Sequence, residues 1–171
     1  MLFSDELRLG LRGQGRRVLA PRGVKVVQPV QLEYEWSYLL LGVDPLSGEL
    51  RWAWVERMRA EHLRPVLAAW GLDGVVWDGA PSHRAKALRE LPTRRVLLPP
   101  YSPELTPAER VFEEVRRRVE GKVYASLQAK QAEVDASLRE LAADPERVRR
   151  LCGWEWLRQA LNALPPRPEA A

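Results

Sequence analysis

The chain has 171 residues, of which 46% are hydrophobic and 29% are charged. This much apolar side chain excludes a disordered or fibrous protein and predicts a single folded domain. Lys and Arg (27) exceed Asp and Glu (23) only modestly, so the charge permits a polyanionic partner without requiring one. One cysteine and two histidines are too few for an internal disulfide or a Cys/His zinc site. With no apolar stretch near the roughly 18 residues of a membrane span, we expect a cytoplasmic protein that does not contact membranes.

The first third of the chain alternates apolar and polar residues, which predicts three or four antiparallel strands between Leu2 and about Val55. Glycine-rich and Asp-Pro segments at 10–15 and 44–48 are typical of hairpin turns. The alternating runs are Leu7–Leu11, Val24–Val30, Tyr34–Leu40 and Leu50–Trp54.

Helical spacing begins after Met58 and predicts a helix from Leu63 to Trp70 that ends at Gly71. Two short apolar strands follow, Val75–Trp77 and Val96–Leu98. They are separated by a helix that Ser82 would cap and that would end near Leu91. A strand-helix-strand order predicts parallel pairing, so the whole is an α/β fold with a mixed sheet.

The rest of the chain, after the proline-rich segment 99–107, is predicted to be helical. Three apolar series mark the helices: Val111 to Val119, Val134 to Leu141, and Leu151 to Leu164. We expect residues 1–125 to form the main domain, 126–164 a helical extension of it, and 165–171 a frayed tail.

Two aspartates stand at informative places in the strands. Asp5 shares one strand face with Phe3, Leu7 and Leu9, so its carboxylate would point to the buried side of the sheet. An unpaired charge there is unfavourable and would be offset by a cation, an Arg partner or a position at the open sheet edge. Asp78 ends an apolar strand, where it would either serve a site at the sheet edge or form an Asx-turn.

Glu109 has an equally clear local interpretation. Thr106, Pro107 and Glu109 have the spacing of a helix-capping box, in which the glutamate bonds the Thr106 amide. A capping Glu could be replaced by Gln, whereas a metal ligand needs its charge.

Three carboxylates from a first strand, a strand end and a helix start can also converge on Mg²⁺ or Mn²⁺. Two such ions about 3.5–4 Å apart activate a nucleophile and stabilise the leaving oxygen of a phosphodiester.

The segments that carry these acids resemble the acidic blocks of bacterial insertion-sequence transposases of the Tc/mariner superfamily. The segments are Phe3–Glu6, Trp77–His83 and Leu98–Glu114, of which the third is the most specific. The resemblance covers residues 1 to about 125 and implies a ribonuclease H-like fold. It also implies an Asp-Asp-Glu triad on Asp5, Asp78 and Glu109 that binds two Mg²⁺ or Mn²⁺ ions. The short sequence separation between Asp78 and Glu109 is similar to that of the superfamily.

Some features depart from the superfamily pattern. Gly79 stands where Asn is more frequent, and Ala108 where Ile is more frequent, but neither change removes a ligand. Members usually carry helix-turn-helix domains before the first aspartate, which here is residue 5. We therefore expect a catalytic half of a transposase, from a frameshifted element or a decayed remnant, with a separate helix-turn-helix product and a homodimer as candidate partners.

Candidate DNA contacts cluster near the second and third acids. They are His83, Arg84, Arg110, Arg116, Arg117 and Lys122, which would meet mainly phosphates. The alternatives are that His83 packs at a helix start beside Ser82 and that the arginines form a solvated helix face paired with nearby glutamates. Trp36, Trp52 and Trp54 could stack on bases, but their period-two spacing favours packing within the sheet.

The sequence thus predicts metal-dependent DNA strand cleavage and strand transfer by the catalytic domain of a bacterial transposase, associated with the nucleoid when bound to DNA. Two alternatives stay open. One is a catalytically idle remnant that binds DNA or dimerises. The other is an autonomous structure-selective nuclease, which would cut without transposon ends.

Overall fold

The computed structural model describes residues 1–13, 19–100 and 102–163. Within these ranges the chain forms five strands, six α-helices and a short 3₁₀ turn at Pro103–Leu105. The strands and helices are, in order, β1 (Leu2–Gly10), β2 (Trp36–Val43), β3 (Leu50–Val55), α1 (Ala60–Trp70), β4 (Gly74–Trp77), α2 (Lys86–Arg89), β5 (Arg94–Leu97), α3 (Pro107–Val119), α4 (Leu127–Ala142), α5 (Pro145–Cys152) and α6 (Glu155–Asn162). No helix of the described residues is both long and apolar enough to cross a membrane.

The strands form one mixed sheet in the order β3-β2-β1-β4-β5. The first three strands pair antiparallel, and β1 pairs parallel with β4, which pairs parallel with β5. The predicted α/β class and the predicted change from antiparallel to parallel pairing are both confirmed. Phe3 lies opposite Val76, and continuing this parallel register places Asp78, which follows β4, beside Asp5 on β1.

Helices cover both faces of the sheet and create two cores. On one face α3 packs Val111, Phe112 and Val115, all 0% exposed, against β1 and β2. On the other face α1 and α2 pack against a second cluster that includes Leu40 and Trp77. Side chains of adjacent strand residues therefore pack into the two cores on opposite faces of the sheet. The first turn of α3 lies over the part of the sheet that carries Asp5.

The expected strand around Val24–Val30 is wrong. Residues 19–35 form no strand, and Val24, Val27 and Val30 are 57%, 79% and 57% exposed. An alternating pattern specifies a strand only where another element covers its apolar face, and no described element covers this one. The predicted turn at 10–15 falls partly on residues 14–18, outside the described residues, whereas the turn at 44–48 joins β2 to β3 as predicted.

Helix α1 ends as predicted at Gly71, which adopts a left-handed φ of 57°. The expected helix capped by Ser82 is wrong: the segment 81–84 is a turn, and only Lys86–Arg89 is helical. The single helix expected over Leu151–Leu164 is two helices, α5 and α6. The two helices are separated at Gly153, where a Cβ would lie 2.8 Å from the Pro45 carbonyl oxygen, so a glycine fits this position best. Leu164 and the predicted tail 165–171 lie outside the described residues.

Candidate active site

Asp5 is a desolvated carboxylate on β1, on the same face as Phe3 and Leu7, as strand parity predicts. Its Oδ1 accepts a hydrogen bond from the Glu6 amide at 2.8 Å. Burial raises the pKa of Asp5 to about 7, an effect that the Glu6 hydrogen bond only partly opposes. Within the described part of the chain, the charged neighbours that act on it are all acids, Glu6, Glu109 and Asp78. A carboxylate in this setting favours a nearby cation.

Asp78 directly follows β4, and its side chain is 59% exposed. Its Oδ1 accepts a hydrogen bond from the Ala80 amide at 2.9 Å, which is the Asx-turn that the sequence offered as an alternative. The same oxygen lies 2.7 Å from Nδ1 of His83. The turn and a functional position are therefore compatible, because both described contacts use Oδ1 and Asp78 still lines an open cleft.

Glu109 lies in the first turn of α3. Thr106 occupies the N-cap position with Pro107 after it, yet the Thr106 side chain makes no capping hydrogen bond. The carboxylate of Glu109 instead accepts a hydrogen bond from Nη1 of Arg116 at 3.2 Å. The capping-box interpretation is therefore wrong, because the threonine does not cap and the glutamate pairs with a residue two turns further along the helix.

The three acids line one cleft of about 570 Å³, together with Arg84, Leu98 and Thr106. As they stand, no three acidic, His or Cys side chains among the described residues are close enough to hold one metal ion. The donor set itself fits Mg²⁺ or Mn²⁺, because it consists of carboxylate oxygens and includes the desolvated Asp5.

A second cleft of about 460 Å³ runs along the end of β1 and the last turn of α3. Five basic residues line it, Arg8, Arg12, Arg116, Lys122 and Lys130, together with Glu120 and with Glu6, whose carboxylate pairs with His83. Because Arg116 also pairs with Glu109, this basic groove adjoins the acidic cleft. The sequence pattern pointed to Arg116 and Lys122 but missed the other three, since only the fold brings β1 and α4 together.

Ion pairs engage most of the other candidate DNA contacts. Arg110 pairs with Glu113 at 3.2 Å, and Arg117 pairs with Glu114, which matches the solvated helix face offered as the alternative. Lys122 lies 2.5 Å from Glu133. Arg84 lines the acidic cleft itself. Trp52 and Trp54 both donate to Asp135 at 3.0 Å and pack against the core, as their spacing predicted.

His83 is 1% exposed and its ring stacks on Trp77, with ring centroids 4.2 Å apart and an interplanar angle of 2°. Its Nε2 lies 2.7 Å from Oε1 of Glu6, and its Nδ1 lies 2.7 Å from Oδ1 of Asp78. Burial alone would lower the pKa of His83, but Glu6 and Asp78 outweigh it and raise the pKa to about 8. His83 is therefore packed behind the site, as in the packing alternative to the predicted DNA contact.

Comparison with known families matches residues 1–130 to the DDE superfamily endonucleases. The chain belongs to this family. It is thus a member of an endonuclease family, and the resemblance of its three acidic segments to DDE enzymes is confirmed. A comparison with curated proteins gives no match.

Solved structures of the Mos1 mariner transposase share the fold. This DDE endonuclease matches the Mos1 paired-end complex with Mg at a TM-score of 0.68 and 17% identity, covering 94% of this chain and 53% of that chain. The paired-end complex with Mn matches at a TM-score of 0.66 and 13% identity, covering 92% of this chain and 54% of that chain. The Mos1 catalytic domain alone matches at a TM-score of 0.56 and 16% identity, covering 89% of this chain and 80% of that chain. The predicted ribonuclease H-like fold is therefore confirmed, and the chain spans about half the length of the full transposase chains.

Proposed function

We propose that this DDE endonuclease cleaves DNA strands and transfers them in a reaction that depends on Mg²⁺ or Mn²⁺ bound by Asp5, Asp78 and Glu109. The observation that carries the proposal is the meeting of these acids in one cleft around a desolvated carboxylate without a basic partner among the described residues. The Mos1 transposase, whose fold is similar, has been solved with Mg, with Mn and as a strand transfer complex.

Each acid has a different part in this proposal. Asp5 is fixed by the strand and supplies the most desolvated oxygen donors. Asp78 is held by the Ala80 amide and His83. Glu109 would complete the site by exchanging its Arg116 partner for the cation, which frees Arg116 for a DNA phosphate. When bound, divalent cations supply nucleophile activation and leaving-group stabilisation, so the chain contributes position and charge.

The basic groove is the proposed path of the DNA backbone. Its five cations exceed its two acids, and the groove adjoins the acidic cleft through Arg116. Side chains of Lys and Arg along such a groove bind phosphates with little regard to sequence. We expect weak, sequence-tolerant DNA binding by this chain. A separate helix-turn-helix product would then supply recognition of transposon ends, and a homodimer would pair two ends.

One observation favours the idle-remnant alternative. Glu109 pairs with Arg116, and no three acidic, His or Cys side chains of the described residues are close enough to hold one metal ion, so an arrangement that never changes would leave the metal site incomplete. A catalytically idle DNA-binding or dimerising protein would retain this ion pair in the presence of Mn²⁺.

The deciding experiment measures Mn²⁺-dependent nicking of supercoiled DNA by the wild type, Glu109→Gln and Thr106→Ala. Loss of one anionic ligand should lower nicking by orders of magnitude in Glu109→Gln, while its melting temperature in EDTA stays close to that of the wild type. Thr106→Ala is the control and should nick normally, because its side chain makes no capping bond. Equal nicking by Glu109→Gln would refute the ligand assignment, and a wild type that never nicks would support the idle remnant.

A further inference from the structure

A chain of three side chains runs from the opposite face of the sheet to the acidic cleft. Glu6 on β1 lies 2.7 Å from one ring nitrogen of His83, and Asp78 lies 2.7 Å from the other. Glu6 and His83 are buried, with side-chain exposures of 8% and 1%, whereas the Asp78 side chain is 59% exposed. The contacts therefore connect a buried carboxylate to an exposed one through a buried ring.

The middle of this chain is held rigidly. The His83 ring lies flat on Trp77, the last residue of β4, at a centroid distance of 4.2 Å. The main chain of the turn adds a contact, because Nδ1 lies 3.2 Å from the Asp78 carbonyl oxygen. The ring can neither tilt nor shift without losing its stacking contact and its bonds on both sides.

The two ends of the chain differ in what they require. Glu6 has a buried charge that His83 satisfies, which accounts for its place in the fold. Asp78 is more than half exposed and needs no buried partner for stability. A rigid contact to an exposed carboxylate that lines a cleft restricts its rotamer, which is the role that outer partners have at metal-ligating carboxylates.

We propose that His83, oriented by Glu6, is a positioning residue that fixes the Asp78 carboxylate for binding a divalent cation. This inference rests on the proposed function. His83 and the Ala80 amide both contact Oδ1, so Oδ2 is the oxygen that the arrangement leaves for the cation. Glu6 acts through His83, since its described contact is with the far ring nitrogen.

The test measures Mn²⁺ affinity by isothermal titration calorimetry without DNA, so that it does not depend on catalysis. His83→Gln should weaken Mn²⁺ binding by about 10- to 100-fold, because its amide resembles the Nε2 side of the ring and loses the contact to Asp78. His83→Asn places an amide near the Nδ1 position and should restore affinity to within about threefold of the wild type. His62→Gln is the matched control, because His62 contacts Glu61 and not the cleft, and it should bind like the wild type.

Melting in EDTA is recorded for each variant, and a purely packing role predicts a lower melting temperature with unchanged Mn²⁺ affinity of the folded protein. That result for His83→Gln would overturn the proposal while leaving the function intact. If His83→Gln does not fold, Glu6→Gln is tested in its place, because Gln keeps an oxygen that can accept a hydrogen bond from His83. Glu6→Gln should still weaken Mn²⁺ binding severalfold. An Mn²⁺ affinity equal to that of the wild type overturns the proposal. A wild type whose Mn²⁺ binding equals that of Asp5→Asn would instead overturn the proposed function, and the positioning role with it.

Discussion

Asp5 and Glu6 are consecutive acids on β1 that face opposite sides of the sheet, and their surroundings differ sharply. Asp5 faces the α3 side, in a cleft shared with two further acids. Glu6 faces the side of α1 and α2, where His83 lies 2.7 Å away. The difference teaches that burial alone does not mark a functional acid. A buried acid with a basic partner supports the structure, whereas one surrounded by other acids is the better candidate for binding a cation.

The largest expected difference between the two acids concerns catalysis. Asp5→Asn removes a proposed cation ligand and should lower Mn²⁺-dependent nicking by orders of magnitude. Glu6→Gln removes only the orienting charge behind His83 and should lower nicking by about tenfold. Side-by-side nicking assays at a Mn²⁺ concentration near the wild-type dissociation constant measure both. Equal losses would break the distinction between a ligand and a supporting residue.

The two substitutions should have opposite effects on stability in EDTA at neutral pH. Asp5→Asn relieves an unfavourable buried charge and its repulsion by neighbouring acids, so its melting temperature should rise. Glu6→Gln leaves the buried His83 with a weaker partner and should reduce the free energy of unfolding by about 1–3 kcal/mol. Thermal melts followed by circular dichroism check this contrast, which a shift of both variants in the same direction would contradict.

The pH dependence of stability should separate the same groups. The pKa of Asp5 is about 7 in the folded chain against an ordinary 3.8, so its ionisation is disfavoured by folding and stability should fall as pH rises between these values. His83 has a pKa of about 8 against 6.5, so its contribution is complete below 6.5 and is lost as pH rises through about 8. Melts of the wild type and Asp5→Asn in EDTA should diverge across the lower window, and parallel curves there would contradict the environment assigned to Asp5.

The smallest expected effect concerns the basic groove on the α3 side. Each phosphate contact contributes about −0.9 to the slope of log affinity against log salt for duplex DNA. Removing one groove cation with Arg12→Ala should make the slope shallower by about that amount if Arg12 contacts a phosphate. Arg59→Ala is the control, because Arg59 precedes α1 on the other face of the sheet. Fluorescence anisotropy at several salt concentrations measures both slopes, and identical slopes for the two variants would exclude Arg12 from the DNA path.

Sequence reasoning succeeded where local pattern and burial agree. The parity of Asp5 with Phe3 and Leu7 held because α3 covers that face of β1. It failed at Val24–Val30, where the same alternation has no covering element, and at Ser82, where the turn that carries His83 replaces a helix. Glu109 could not be assigned from its capping-box spacing, since the contact with Arg116 depends on side-chain rotamers rather than on spacing.

The sequence by itself determined the change from antiparallel strands to alternating strands and helices, the family and the three acids proposed as ligands, because these depend on periodicity and short motifs. The tertiary structure alone decided which acids have partners. Glu6 and His83 are far apart in the chain, and Arg8, Arg12 and Lys130 line one groove with Arg116 only because α3 packs against β1 and Lys130 on α4 bonds the Gly10 carbonyl oxygen. Such contacts between distant segments follow from the fold and leave no local signal in the residues that make them.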